Sequence, residues 1–132
     1  MNGSVKLQMK QVNKVDITVQ TQYLKNQIPD KDKYAFAYRI AIHNNGKHPV
    51  QLINRYWLIT DGNGKKTEVQ GPGVIGEQPH IKPDDSFQYT SGAVLDTPVG
   101  TMQGYYEMQQ EDGERFEATI KVFSLAVPNA VN

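Results

Sequence analysis

The chain has 132 residues, enough for one domain that buries about two-thirds of the surface its unfolded form exposes, so it needs no disulfide or metal staple. It contains no cysteine, which excludes a disulfide framework, a thiolate zinc site and a cysteine nucleophile, and agrees with a reducing compartment. Fourteen Lys and Arg balance fourteen Asp and Glu, so no global field gathers nucleic acid or anionic lipid, and no run approaches the roughly 18 apolar residues of a spanning helix.

The opening Met1-Asn2-Gly3-Ser4-Val5-Lys6 lacks the apolar core of a signal peptide, and a cytoplasmic location is expected. Residues 1–14 and 128–132 are polar or irregular and are expected to fray, within one domain over residues 1–132. Between these ends, apolar and polar residues alternate with period two, which puts one set of side chains on a single face of a pleated strand. Val15–Thr21 is the first such run. In the second, Tyr34, Phe36, Tyr38, Ile40 and Ile42 share a face, while Ala35, Ala37, Arg39, Ala41 and His43 form a face expected to be half-buried at most.

The run Val50–Thr60 is denser than alternation, as expected of a central strand or one with a bulge, and Trp57 is its core anchor. Further strands read at Thr67–Gln70, Ser86–Val94, Thr101–Gln110 and Arg115–Leu125. Asp61-Gly62-Asn63-Gly64 and Glu111-Asp112-Gly113-Glu114 supply residues that tolerate positive φ and should each close an antiparallel hairpin. Asn44-Asn45-Gly46-Lys47 and Lys82-Pro83-Asp84-Asp85 are also turn chemistry, and no segment has a capped 3.6-residue period, so almost no helix is expected. About seven short strands between such turns predict an all-β fold. An immunoglobulin/fibronectin type III-like antiparallel β-sandwich is preferred to a small barrel.

Gly71-Pro72-Gly73-Val74-Ile75-Gly76 matches the GxGxxG fingerprint, in which backbone amides at a helix N-terminus meet a pyrophosphate. Here Pro79 and Pro83 follow within a few residues and prevent that helix. The glycines therefore read first as a tight-cornered strand connection. The competing reading is an anion nest of the amides of Gly71, Gly73 and Gly76, with charge added by Arg55, Lys65 and Lys66. His43, His48 and His80 have no ligand spacing, the adjacent Asp84 and Asp85 are at most a weak magnesium site, and no metal or other cofactor is expected. Ser86, Ser91 and Ser124 lack a GxSxG elbow, and no catalytic residue is assigned. Gln88–Gly92 and Tyr105-Tyr106 offer aromatic area with polar rims, although ordinary strand packing also accounts for them.

The run Arg55-Tyr56-Trp57-Leu58-Ile59-Thr60-Asp61-Gly62-Asn63-Gly64, followed by Glu68-Val69-Gln70-Gly71-Pro72-Gly73-Val74-Ile75-Gly76, resembles the ApaG family. Phe87–Gly92, Thr97–Met108 and Phe123–Pro128 resemble it in the same order, so the resemblance covers nearly all of the chain beyond about Val12. It implies a fibronectin type III-like sandwich. It also implies an association with cobalt resistance and magnesium efflux in bacteria, and similar domains in eukaryotic F-box proteins and a polymerase-interacting protein are taken to bind partners. No catalytic residue comes with it. The family's glycine loop has been likened to a pyrophosphate-binding motif, and Gly71, Gly73 and Gly76 are the matching positions here.

The expected function is a non-enzymatic binding module in cobalt and magnesium homeostasis, recognising a protein partner or a small phosphorylated ligand. The alternative is a pyrophosphate- or nucleotide-binding protein or enzyme that uses the glycine loop, with Arg55 or His80 assisting. An efflux role would be indirect, because no membrane segment is present to conduct ions. An exposed edge strand offers a route to a homodimer.

Overall fold

The computed structural model describes residues 14–25 and 32–129, and the expected fraying of residues 1–14 and 128–132 falls largely outside them. All seven expected strands are present within two residues of their expected ends. They are β1 (Val15–Tyr23), β2 (Tyr34–Asn44), β3 (Val50–Asp61), β4 (Lys66–Pro72), β6 (Ser86–Leu95), β7 (Val99–Gln110) and β8 (Arg115–Ala126). A two-residue β5 (His80–Ile81) is added, and no helix occurs among the described residues. One sheet has the order β1-β2-β6. The other has the order β4-β3-β7-β8, with β5 also on β3, and every pairing is antiparallel.

Alternation in β2 decides which face goes inward. Phe36, Tyr38, Ile40 and Ile42 are buried against the five-stranded sheet, where Trp57, Met102, Tyr106, Met108, Ile120 and Leu125 close the core. The opposite face of β2 is more covered than its alanines suggested, because Ala35 is buried. Trp57 meets Tyr38, Tyr106 and Phe123 edge-on, with ring centroids 5.4, 6.3 and 5.9 Å away. Such edge-to-face contacts add to the area that each ring buries.

The dense third strand is both central and bulged, since β3 lies between β4 and β7 and its register with β7 slips between Leu52 and Asn54. Opposite Trp57 lies Gly104, where a Cβ would meet the Tyr56 carbonyl oxygen at 1.9 Å. Only glycine lets β7 approach β3 there. The β3–β4 and β7–β8 connections are hairpins, with Gly64 at φ 84 and Gly113 at φ 88. In the Lys82–Asp85 turn, Pro83 precedes Asp84 at φ 65 and the Asp85 amide donates to Lys82 O at 3.0 Å. That is type II geometry.

Asn44, the one buried polar residue of the described core, holds the crossing from β2 to β3. Its Nδ2 donates to the carbonyls of His48 and Ile81, each at 2.9 Å, and its Oδ1 accepts from the Gly46 amide at 2.8 Å. One side chain thereby ties together three backbone groups of the crossing.

Candidate functional site

β4 and β5 read as one interrupted edge strand on β3. After Pro72, the Gly73 amide donates to Ile53 O at 2.8 Å, and the strand resumes where the Leu52 amide donates to Pro79 O at 3.0 Å. Between them the chain makes a narrow excursion closed by two bonds between Val74 and Glu77, at 2.8 and 2.9 Å. Its central residues, Ile75 at φ 43 and Gly76 at φ 78, form a type I′ turn. Val74 is fully buried while Ile75 stands 55 % exposed, which anchors the excursion and leaves its tip outside. Gly73, at φ 62, is required because a Cβ would meet Glu77 O at 2.1 Å.

The fingerprint glycines thus separate. Gly71 lies within β4 opposite Arg55, Gly73 begins the excursion and Gly76 is at its tip. Since the Gly73 amide points at β3, ladder alternation makes Gly71 and Arg55 the next hydrogen-bonded pair. Two of the three amides therefore face β3. Arg55 joins the glycines by another route: its Nη1 donates to the carbonyls of Pro72 and Gly73, at 3.0 and 2.9 Å. Lys65 is drawn to Asp96 at 3.4 Å, and Lys66 is exposed on β4.

The Tyr105-Tyr106 pair is divided between the two faces of β7. Tyr106 points inward, fully buried, and its hydroxyl shares a 2.5 Å hydrogen bond with that of Tyr89 on β6, tying the two sheets together. Burial holds both phenols above their ordinary range, and the bond to Tyr106 opposes the rise at Tyr89. Tyr105 points outward and stacks on Tyr56, its partner across β3, with centroids 5.1 Å apart.

Around that stack lies an open depression of about 350 Å³ on the outer face of the five-stranded sheet. Asn54 Nδ2 donates to Glu107 Oε1 at 2.6 Å, and Arg115 Nη1 donates to the same oxygen at 3.1 Å. Tyr56 donates to Glu68 Oε2 at 2.8 Å, and this bond raises the Tyr56 phenol above its usual value, with desolvation adding to the rise. Glu117 also lines the depression, directly opposite Glu107 in the register. Of its carboxylates, Glu107 is paired with the Arg115 guanidinium, while Arg55, which alternates with Tyr56 and pairs with Tyr106, spends its Nη1 on the backbone carbonyls of Pro72 and Gly73.

Sequence reasoning missed this face. Tyr56, Asn54, Glu68, Glu107 and Glu117 come from four strands, and only the registers place them together. The available signal was period two, which already put Tyr56 and Tyr105 on the side of their strands away from the buried Trp57 and Tyr106. Of the histidines, His43 Nδ1 lies 2.8 Å from Ser86 Oγ, and His80 pairs with Gln51 on the sheet edge. No group of three or more His, Asp or Glu is arranged to hold a metal among the described residues.

A two-sheet antiparallel sandwich of immunoglobulin and fibronectin type III character, presenting side chains on a rigid outer face, is the class that this architecture defines. The profile described as the ApaG domain matches residues 24–110. The chain belongs to the ApaG family. It is 56% identical over 120 residues to Protein ApaG of Sodalis glossinidius (strain morsitans), covering 90% of this chain and 96% of that one. With Protein ApaG of Erwinia tasmaniensis it shares 53% identity over 125 residues, or 94% of this chain and all of the relative. A crystal structure described as an ApaA protein from Bordetella pertussis superposes with a TM-score of 0.83 at 45% identity, covering 87% of this chain and 94% of the other. A protein from Archaeoglobus fulgidus, at 8% identity and a TM-score of 0.55 over 86% of this chain and 97% of that one, shares the fold alone.

Proposed function

We propose that this chain is a non-enzymatic binding module of cobalt and magnesium homeostasis, and that it engages a protein partner through the depression around Tyr56 and Tyr105. The observation that carries this reading is the stacked tyrosine pair. It exposes aromatic area that is already immobilised, so docking forfeits little side-chain entropy. Glu68 is held by a hydrogen bond beside it, and with Glu117 it favours a cationic side chain of the partner lying over the rings.

The test is complementation of a strain lacking this gene by a Tyr56→Ala/Tyr105→Ala chain. Both positions face outward, so the variant is expected to melt cooperatively. Loss of cobalt tolerance with a folded variant is the expected result. Full tolerance would refute the site, and unchanged metal tolerance in the deletion strain itself would refute the role.

A phosphorylated small ligand is the second reading, favoured by one observation. Arg55 makes no ion pair with a carboxylate among the described residues, and its second terminal nitrogen lies 3.5 Å from the position of a Cβ at Gly71. Titration with pyrophosphate should then shift the Arg55 Nε resonance together with the Gly71 and Gly76 amides. No shift at millimolar ligand would remove this reading and leave the tyrosine site untouched.

A further inference from the structure

The free edge of a sheet offers unpaired amides and carbonyls to another chain, and proteins blunt such edges with charges, prolines, bulges or short strands. β4 carries Lys66, Glu68 and Pro72 and is interrupted by the Gly73–Glu77 excursion. β8 carries Arg115, Glu117 and Lys121, and its register with β7 slips between Met102 and Gly104. β1 lies beside β8.

β6 has none of these devices. Its ten residues, Ser86-Phe87-Gln88-Tyr89-Thr90-Ser91-Gly92-Ala93-Val94-Leu95, include no charge and no proline, and its register against β2 runs unbroken. On its other side it pairs with no described strand. Gln88, Thr90 and Gly92 are exposed, and Val94 is 56% exposed.

We propose that β6 pairs antiparallel with β6 of a second copy of this chain, about a two-fold axis at Thr90, joining two three-stranded sheets into one of six strands. The size pattern of the strand selects both the occupant and the register. An axis at Thr90 sets Phe87 against Ala93, Gln88 against Gly92 and Tyr89 against Ser91. Each bulky side chain then faces a small one, and the inward and outward faces of the two copies coincide. Moving the axis to Tyr89 sets that residue against itself, and moving it to Ser91 sets Phe87 against Leu95. No charge is buried in the preferred pairing, and its self-complementarity is what an isologous dimer requires. The contact lies on the sheet opposite the Tyr56 depression, so it stands apart from the proposed function.

Sedimentation equilibrium of the full chain should show a reversible dimer at micromolar to submillimolar concentration. Thr90→Glu and Thr90→Lys each place like charges across the axis and should raise the dimer dissociation constant by about tenfold or more. An equimolar mixture of the two should restore dimerisation, with Glu facing Lys. Because the chain has no cysteine, Thr90→Cys gives an independent reading: paired strands put the two Cα atoms within disulfide reach, and mild oxidation should yield a covalent dimer. Val94→Cys, exposed but facing Ser86 of the second copy, should yield little. A monomeric wild type, charge variants that dimerise like wild type, or equal cross-linking at both positions would each overturn the proposal.

Discussion

Removing the hydroxyl of Tyr106 should destabilise the fold more than its one hydrogen bond suggests. Tyr106 is fully buried and Tyr89 is 6% exposed, so each hydroxyl has the other as its partner inside the sandwich. Tyr106→Phe leaves the Tyr89 hydroxyl buried and unsatisfied, at about 2 kcal/mol, and Tyr89→Phe does the same to Tyr106. The double change to Phe leaves no orphan. It should therefore cost no more than either single change, a coupling of about 2 kcal/mol. Urea unfolding followed by Trp57 fluorescence reads this directly, since each single variant should lower the midpoint by about 1 M with unchanged slope. Single effects that simply add in the double variant would refute the reasoning. The same pair predicts an alkaline limb. Both phenols are raised above the unfolded value of 10.0, so the native state holds its protons more tightly. The pair's contribution to stability is complete below pH 10 and falls as pH rises above it, and the double Phe variant should lose most of that fall.

Asn44→Ala removes partners from the carbonyls of His48 and Ile81 and from the Gly46 amide, and a loss of about 3 kcal/mol is expected by urea unfolding. Ile75→Asn should do the reverse, raising stability by about 1 kcal/mol in calorimetry, because Asn tolerates the φ of 43 that a β-branched residue resists. Asp96 is held below its ordinary 3.8 by the hydrogen bond from Lys33, with Lys65 adding to the effect. Its contribution is present above that value and is lost as pH falls below it. Acid unfolding of Asp96→Asn should accordingly be less steep than that of wild type below pH 3.8.

Period two and turn chemistry are local, so the strands, the hairpins at Gly64 and Gly113, the central bulged β3 and the Trp57 core were legible from residues a few positions apart. Family resemblance was legible for the same reason, since its motifs are contiguous runs. What could not be read was anything that depends on register. Gly71, Gly73 and Gly76 look like one motif in the chain, yet the ladder to Ile53 and Arg55 divides them between a strand, a corner and a turn tip. Tyr105 and Tyr106 look like one patch, yet the pleat sends one to Tyr56 outside and the other to Tyr89 inside. Asn44 looked like turn chemistry, and the crossing between sheets made it a buried latch.

Which segments become strands, and which face of each is apolar, was already set along the chain, because alternation and positive-φ turns are properties of neighbouring residues. Long-range pairing fixed which strands are neighbours, where β6 has no further partner among the described strands, and how Tyr56, Asn54, Glu68, Glu107 and Glu117 gather on one face. Those outcomes are fixed by pairing between residues as far apart as Asn54 and Glu107, and the energy that selects them is the burial of both sheets at once.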